Sequence, residues 1–225
     1  HVNCEGLKTA AYGSAVALNP SQRNGLEELM PKVGMQPVRR RQLIDATIET
    51  IHLHGFADAT IARISKAAGM SSGIISHYFG GKNALLEATM RFLMQELRDD
   101  YMTRLKTAKT PLKRLEAIVS TNFNEGQFTQ QVTVAWLSFW AQVPFSKDLR
   151  RLNDIYFHRL ESNLRHELRQ LTTDERAEEI AAVIAAMVDG IWVGTGLTRG
   201  RSDVAGARKM VMNTLHLYLA NSPSR

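Results

Sequence analysis

Apolar residues recur three and four positions apart through most of the chain. Leu43, Thr47, Ile48 and Ile51 form one series, Ile61, Ile64 and Ala68 another, and Leu85, Thr89, Phe92, Leu93, Leu97 and Tyr101 a longer one. This spacing keeps each series on one face of an α-helix, and no run alternates apolar and polar residues as a half-buried strand does. Breaks at Gly55, Thr60, Gly69, Ser71, Gly80-Gly81, Pro111, Gly126, Pro144 and Thr172-Thr173 cut the pattern into about nine helices. The predicted fold class is all-α, with short helices from about Pro37 to Gly81 and long ones after Lys82: a small N-terminal head, 37–97, followed by a larger body, 98–221.

Within the head, 60–79 has the punctuation of two short helices across a tight turn. Thr60 is placed to cap Ile61-Ala62-Arg63-Ile64-Ser65-Lys66-Ala67-Ala68, Gly69 to end it in a left-handed turn, Met70 to pack inward, and Ser71 to cap a second helix running to Phe79. That is a helix-turn-helix pattern, whose second helix reads a DNA major groove. Steps of ~100° per residue put Ser71, Ile75, Tyr78 and Phe79 on a packing arc and Gly73, Ile74, Ser76 and His77 on a reading arc. Gly73 lets backbone approach the duplex, Ser76 and His77 offer hydrogen bonds to base edges, and Ile74 suits a thymine methyl. Tyr78, Lys82, Arg39, Arg40 and Arg41 suit phosphates, which position a protein without conveying sequence. The competing reading is a helical hairpin with no DNA partner.

Composition narrows the function further. The 225 residues are 44% hydrophobic and 22% charged, enough apolar material for one or two domains, and the formal charge of +6 favours an anionic partner. The single cysteine, Cys4, excludes a disulfide framework or a cysteine zinc site and fits a reducing cytoplasm. The first 29 residues have neither periodicity nor an apolar core; they read as a non-native or disordered leader ahead of a start at Met30. The apolar run 180–197 approaches bilayer length, but Asp189 at its middle and three glycines favour a helix buried among others over a membrane span.

Thr60 to Lys82, TIARISKAAGMSSGIISHYFGGK, resembles the DNA-binding head of the TetR family of bacterial repressors. The glycines, the serines, His77, Phe79 and Lys82 match the family pattern, whereas Ser76 replaces the tyrosine usual there. Within that family, MPKVGMQPVRRRQLIDAT, GIISHYF, LLEATMR, NF, WLSFWA, RRL and DGIW are similar to the choline-responsive repressors of glycine betaine synthesis; Val193-Gly194-Thr195 departs from the arginine expected after Trp192. The resemblance implies a homodimer on double-stranded operator DNA, DNA contacts at Thr60, Ser72, Gly73, Ile74, Ser76, His77, Tyr78 and Lys82, and choline as effector.

In the body, Trp136, Phe139 and Trp140 stand at i, i+3 and i+4 and so share one helical face; Trp192 lies three residues after Asp189. Aromatic faces attract a quaternary ammonium, and a nearby carboxylate supplies the balancing charge, with Phe123, Phe128 and Tyr156 as further walls. The alternative is that these rings are ordinary core, or that the body senses an unrelated apolar or cationic compound. Val204, Ala207 or Arg208, Val211, Leu215 and Tyr218 form a C-terminal stripe that, with 180–197, suggests a four-helix dimer interface.

Enzyme readings are weaker. Gly69-Met70-Ser71-Ser72-Gly73 matches the serine-hydrolase elbow G-x-S-x-G, but that elbow joins a strand to a helix and no strand precedes it. The glycines from 194 to 200 are wrongly spaced for a dinucleotide cofactor, and His52 and His54 fall on divergent helix faces without a third metal ligand. No cofactor and no metal are expected.

Overall fold

The computed structural model describes residues 35–198 and 203–222. The expected leader and Cys4 lie outside the described residues. The chain divides into two compact units after Arg39. Residues 35–39 of the first are helical, with Arg39 half-buried; everything below concerns the second unit, residues 40–225.

Nine α-helices occur among the described residues, and no strand. They are α1 (Met35–Asp58), α2 (Ile61–Ala67), α3 (Gly73–Phe79), α4 (Lys82–Leu105), α5 (Pro111–Asn122), α6 (Gln130–Gln142), α7 (Lys147–Leu168), α8 (Asp174–Leu197) and α9 (Val204–Ala220). A 3-10 turn, Val143–Phe145, joins α6 to α7. Gly55, at φ 76° and ψ 167°, breaks the helical backbone inside α1, so its last residues turn away from the main helix.

Hydroxyl side chains start most of the later helices. Thr110, Thr129, Ser146 and Thr173 each accept from the backbone N–H three residues on, satisfying donors that have no intrahelical partner. Pro111 opens α5, where its missing N–H costs nothing.

The long stripe on α4 behaves as its spacing predicts: Leu85, Thr89, Leu93 and Leu97 are buried and Phe92 and Tyr101 half-buried. The helix α4 packs on α3 and on α5, α6 and α7. The short helices close over Leu43, Ile51, Ile64, Ile75 and Leu85, and the body over Leu115, Phe123, Trp136, Phe139, Leu164 and Ile180.

The apolar helix α8 has the length and hydropathy of a membrane span. One face, Ala177, Ile180, Ala181, Ile184, Ala185, Val188 and Trp192, is instead spent on packing against α6, α7 and α9. The C-terminal stripe is corrected in the same way. Ala207, Val211 and Leu215 are buried inside this one chain rather than left over for a partner. The outer apolar surface is made of other residues: Ala182, Ala186, Gly190 and Gly194 on α8, with Leu197, Met210 and Leu217 from 55 to 73% exposed.

Candidate nucleic-acid interface and ligand cage

The turn between α2 and α3 follows from its residues. Thr60 Oγ1 accepts from the N–H of Arg63 at 3.3 Å and starts α2. At the other end the N–H of Met70 reaches the carbonyl of Ser65 at 2.8 Å, and that of Gly69 the carbonyl of Lys66 at 3.1 Å. This paired closure needs a left-handed residue between them, and Gly69 supplies it at φ 67°. Met70 packs on the core as expected.

Ser71 does not cap α3. The cap position belongs to Ser72, whose side chain makes no capping bond, while Ser71 is exposed and only its carbonyl accepts, from Ile74 N–H at 3.1 Å. On α3, Ile75 is fully buried, Tyr78 and Phe79 are half-buried, and Gly73, Ser76 and His77 face outward. Ile74, expected on the outward arc, is half-buried against the core, because a short helix packed at its middle turns the flank of its arc inward.

Two of the basic residues expected at phosphates are engaged within the protein. Arg40 donates to the carbonyl of Tyr78 and lies 4.3 Å from the centre of the Phe79 ring. Lys82 donates to the carbonyls of Phe56 at 2.9 Å and Ala57 at 3.3 Å, over the Phe56 ring. Both satisfy carbonyls at helix ends and so fix α1, α3 and α4 to one another. Arg41 pairs with Asp45 at 2.9 Å and stacks over Phe92. Lys66, exposed beside the turn, is a cation that periodicity had not singled out.

In the body, three helices and a loop bring the expected aromatic residues together. Trp136 is the hub. Its ring centre lies 5.0 Å from Tyr156 of α7, 5.6 Å from both Phe139 and Trp140 of α6, and 6.0 Å from Trp192 of α8. Phe128 meets Trp192 edge-on at 5.4 Å and Phe123 at 5.1 Å, so Phe123 joins the group only through it. Edge-to-face contacts of this kind stabilise beyond the area they bury.

Asn122, at the end of α5, had no signal in the sequence pattern and holds the group in register. Its carbonyl accepts from Trp192 Nε1 at 3.1 Å and its Oδ1 from the Tyr156 hydroxyl at 3.4 Å. Arg208 of α9 donates to the next carbonyl, Phe123, at 2.8 Å.

Three buried polar atoms of this region have no partner: the indole nitrogens of Trp136 and Trp140, and Oδ1 of Asp189. Burial, and then the neighbouring charge of Glu161, push the Asp189 carboxyl up to about 7. Burial, with the charge of Asp189 adding to it, pushes the Tyr156 hydroxyl up as well. A carboxylate oxygen buried without a donor is costly, and protonation of the group relieves that cost.

Two family models match the chain. Residues 43–89 match the family model of bacterial regulatory proteins of the tetR family, and residues 111–220 the model of the BetI-type transcriptional repressor C-terminal domain. The chain is 44% identical over 195 residues to the HTH-type transcriptional regulator BetI of Brucella suis, covering 87% of this chain and 98% of that one. It is 44% identical over 196 residues to BetI 1 of Chromohalobacter salexigens, covering 87% and 97%.

Among solved structures, a transcriptional regulator from Pseudomonas aeruginosa PAO1 superposes with a TM-score of 0.68 at 25% identity, over 91% of this chain and 94% of that one. A regulator from Saccharomonospora viridis, solved in complex with choline, does so with 0.67 at 22% identity, over 83% and 98%. The hydrolase reading of Ser71 falls on both counts: the serine lies in a helix-to-helix turn, and the relatives are regulators. The chain belongs to the TetR family of transcriptional regulators, with a BetI-type C-terminal domain; it is a DNA-binding repressor and not an enzyme.

Proposed function

We propose that this repressor senses choline and controls the synthesis of glycine betaine, acting as a homodimer on operator DNA in the cytoplasm. The observation that carries the ligand is the convergence of the Trp136, Tyr156 and Trp192 rings, in a body that also holds the half-buried Asp189, whose Oδ1 has no hydrogen-bond partner. A trimethylammonium group is large, weakly hydrated and unable to donate a hydrogen bond, so it is held by aromatic faces with a countercharge nearby. The choline hydroxyl suits the free indole donors. The choline complex of the Saccharomonospora viridis regulator, a protein of the same fold, supports this reading.

On the DNA side, Ser76 and His77 read base edges, Gly73 admits the backbone, and Ile74 contributes its exposed flank. Thr60, Ser72 and Tyr78 border the phosphates, with Arg39 nearby in sequence to Arg40; Arg40 and Lys82 act by holding the reading helix in place. Dimerisation through the outer faces of α8 and α9 sets two heads on half-sites about 34 Å apart. Choline shifts the spacing of the heads through α4, by preferring one arrangement over the other.

The test is a gel-shift titration against DNA flanking the chain's own gene, with choline and with glycine betaine as control, for wild type and Asp189→Asn. Choline alone is expected to weaken or remodel the wild-type complex and to leave that of the variant unchanged. Specific binding indifferent to choline in the wild type overturns the ligand and keeps the regulator.

A further inference from the structure

The connection between α5 and α6, residues 123–129, is tied at both ends to the last two helices. At its start, Trp192 of α8 donates to the carbonyl of Asn122 at 3.1 Å, and Arg208 of α9 to that of Phe123 at 2.8 Å. These are end carbonyls of α5, which have no intrahelical partner, and a cation beside them meets the negative end of the helix dipole. At its far end Gln130, the first residue of α6, donates to the carbonyls of Thr198 at 3.1 Å and Gly196 at 3.5 Å, and so closes the C-terminus of α8. The two helices meet there without room for a side chain. A β-carbon on Gly196 would stand 2.5 Å from a methyl carbon of Leu137 and 3.3 Å from the carbonyl oxygen of Thr133, both on α6.

The start of α6 is also where the body meets the head. The helix packs on α4, and Val132 borders, with Phe92 and Leu93 of α4, a cleft of about 750 Å³ that Arg41, Asp45 and Glu49 of α1 also line. Arg41 fastens α1 to α4 at this level, its guanidinium 4.0 Å from the centre of the Phe92 ring and 3.9 Å from Glu96. A continuous set of bonds and close contacts thus runs from α8 and α9, through the two ends of the connection, to the place where the head is attached.

We infer that Gln130 and Arg208 are positioning residues for DNA binding: they hold α8 and α9, whose outer faces pair the protomers, at a fixed attitude to the head, and so set the half-site spacing that the repressor accepts. Both act through other residues, from outside the head. The inference rests on the dimer of the proposed function and not on choline. A dimer with stiffly held heads loses affinity when the half-sites are moved, whereas a slack joint lets the heads follow them.

The test uses the full-length protein and the operator flanking the chain's own gene, as found and with one or two base pairs inserted or removed at its centre, together with a single half-site duplex. Wild type is expected to bind the native spacing most tightly. Gln130→Met and Arg208→Met, which keep bulk and lose the donors, are each expected to shrink the ratio of native to altered spacing about fivefold, the lower end of coupling between distant sites. Light-scattering mass and affinity for the single half-site are expected to match wild type, which separates a slackened joint from a damaged head or a lost dimer. Arg208→Lys, which retains a cationic donor, is expected to restore the selectivity. The two methionine variants cut opposite ends of the connection, so either one that folds carries the test. A wild-type protein indifferent to spacing, a ratio unchanged in the folded variants, or an equal loss on half-site and operator each overturns the inference. A wild-type protein that is monomeric in solution and on the operator overturns the dimer as well, and its mass tells that failure from an unchanged ratio.

Discussion

Arg40 donates through its guanidinium to the carbonyl of Tyr78, 38 residues further on, at 2.5 Å. The bond ties the first long helix to the carbonyl end of the reading helix, where the helix dipole is negative. Arg40→Met keeps the apolar stem over Phe79 but removes the donor, so it is expected to destabilise the head by about 1 to 2 kcal/mol. Operator and non-specific duplex should weaken by the same factor. A fall confined to the operator, measured by fluorescence anisotropy on both duplexes, would make Arg40 a base reader.

The opposite signature is expected at Ser76 and His77, which face outward and carry no core packing. Changing both to alanine should leave the melting temperature within the range of ordinary surface substitutions, about 0.5 kcal/mol. Operator affinity should fall roughly ten- to a hundredfold while non-specific binding persists, since each lost base contact costs about 1 to 3 kcal/mol. The same two duplexes make the comparison.

Choline affinity should depend on pH through Asp189. Its carboxyl titrates at about 7, and only the ionised form balances a cation. Between pH 6 and pH 8 the ionised fraction rises from about one tenth to about nine tenths, so choline affinity is expected to rise about tenfold. Titration calorimetry at the two pH values measures it. Asp189→Asn should bind weakly at both, and a flat wild-type profile would remove Asp189 from the site.

The same carboxyl should make the unliganded protein less stable as pH rises. Its folded value, about 7, lies above the ordinary carboxylate value of about 4 that the unfolded chain keeps. Between those values the folded state holds a proton that the unfolded state has released, so stability is lost as pH climbs from about 4 to about 7 and stays lost above. Asp189→Asn removes this penalty and should melt higher than wild type at pH 8, with the gap closing toward pH 5. Choline should raise the wild-type melting temperature and not that of the variant.

What the sequence made legible, and what it hid, divides between local and tertiary causes. Thr60 and Gly69 were readable because a cap and a left-handed turn are decided within a few residues. Trp136, Phe139 and Trp140 were readable as one face for the same reason. Ser71 and Ser72 were confused because adjacent serines offer the same chemistry, and only the backbone geometry separates them. The carbonyls that Arg40 and Lys82 reach were hidden, because nothing near either residue in sequence reveals a partner 38 or 26 residues away. Asn122 carries no periodic signal; its role comes from helices that meet only in the folded chain. The C-terminal stripe was recognised as apolar, but a stripe does not say which neighbour will cover it.

The unbroken length of α4 has a mechanical consequence. Lys82 anchors one end to the last turn of the first helix, while Met94, Leu97 and Met102 border a cavity of the body near the other. At 1.5 Å of rise per residue its 24 residues make a rod of about 36 Å. A tilt of only ~5° about the far end would carry the anchored end ~3 Å sideways, close to the rise of one base pair, and two such rods in a dimer would double the mismatch with a duplex of fixed pitch. On the proposed function, a small rearrangement of the packed rings that tilts this rod would become a loss of register on DNA by leverage alone, with no part of the protein unfolding.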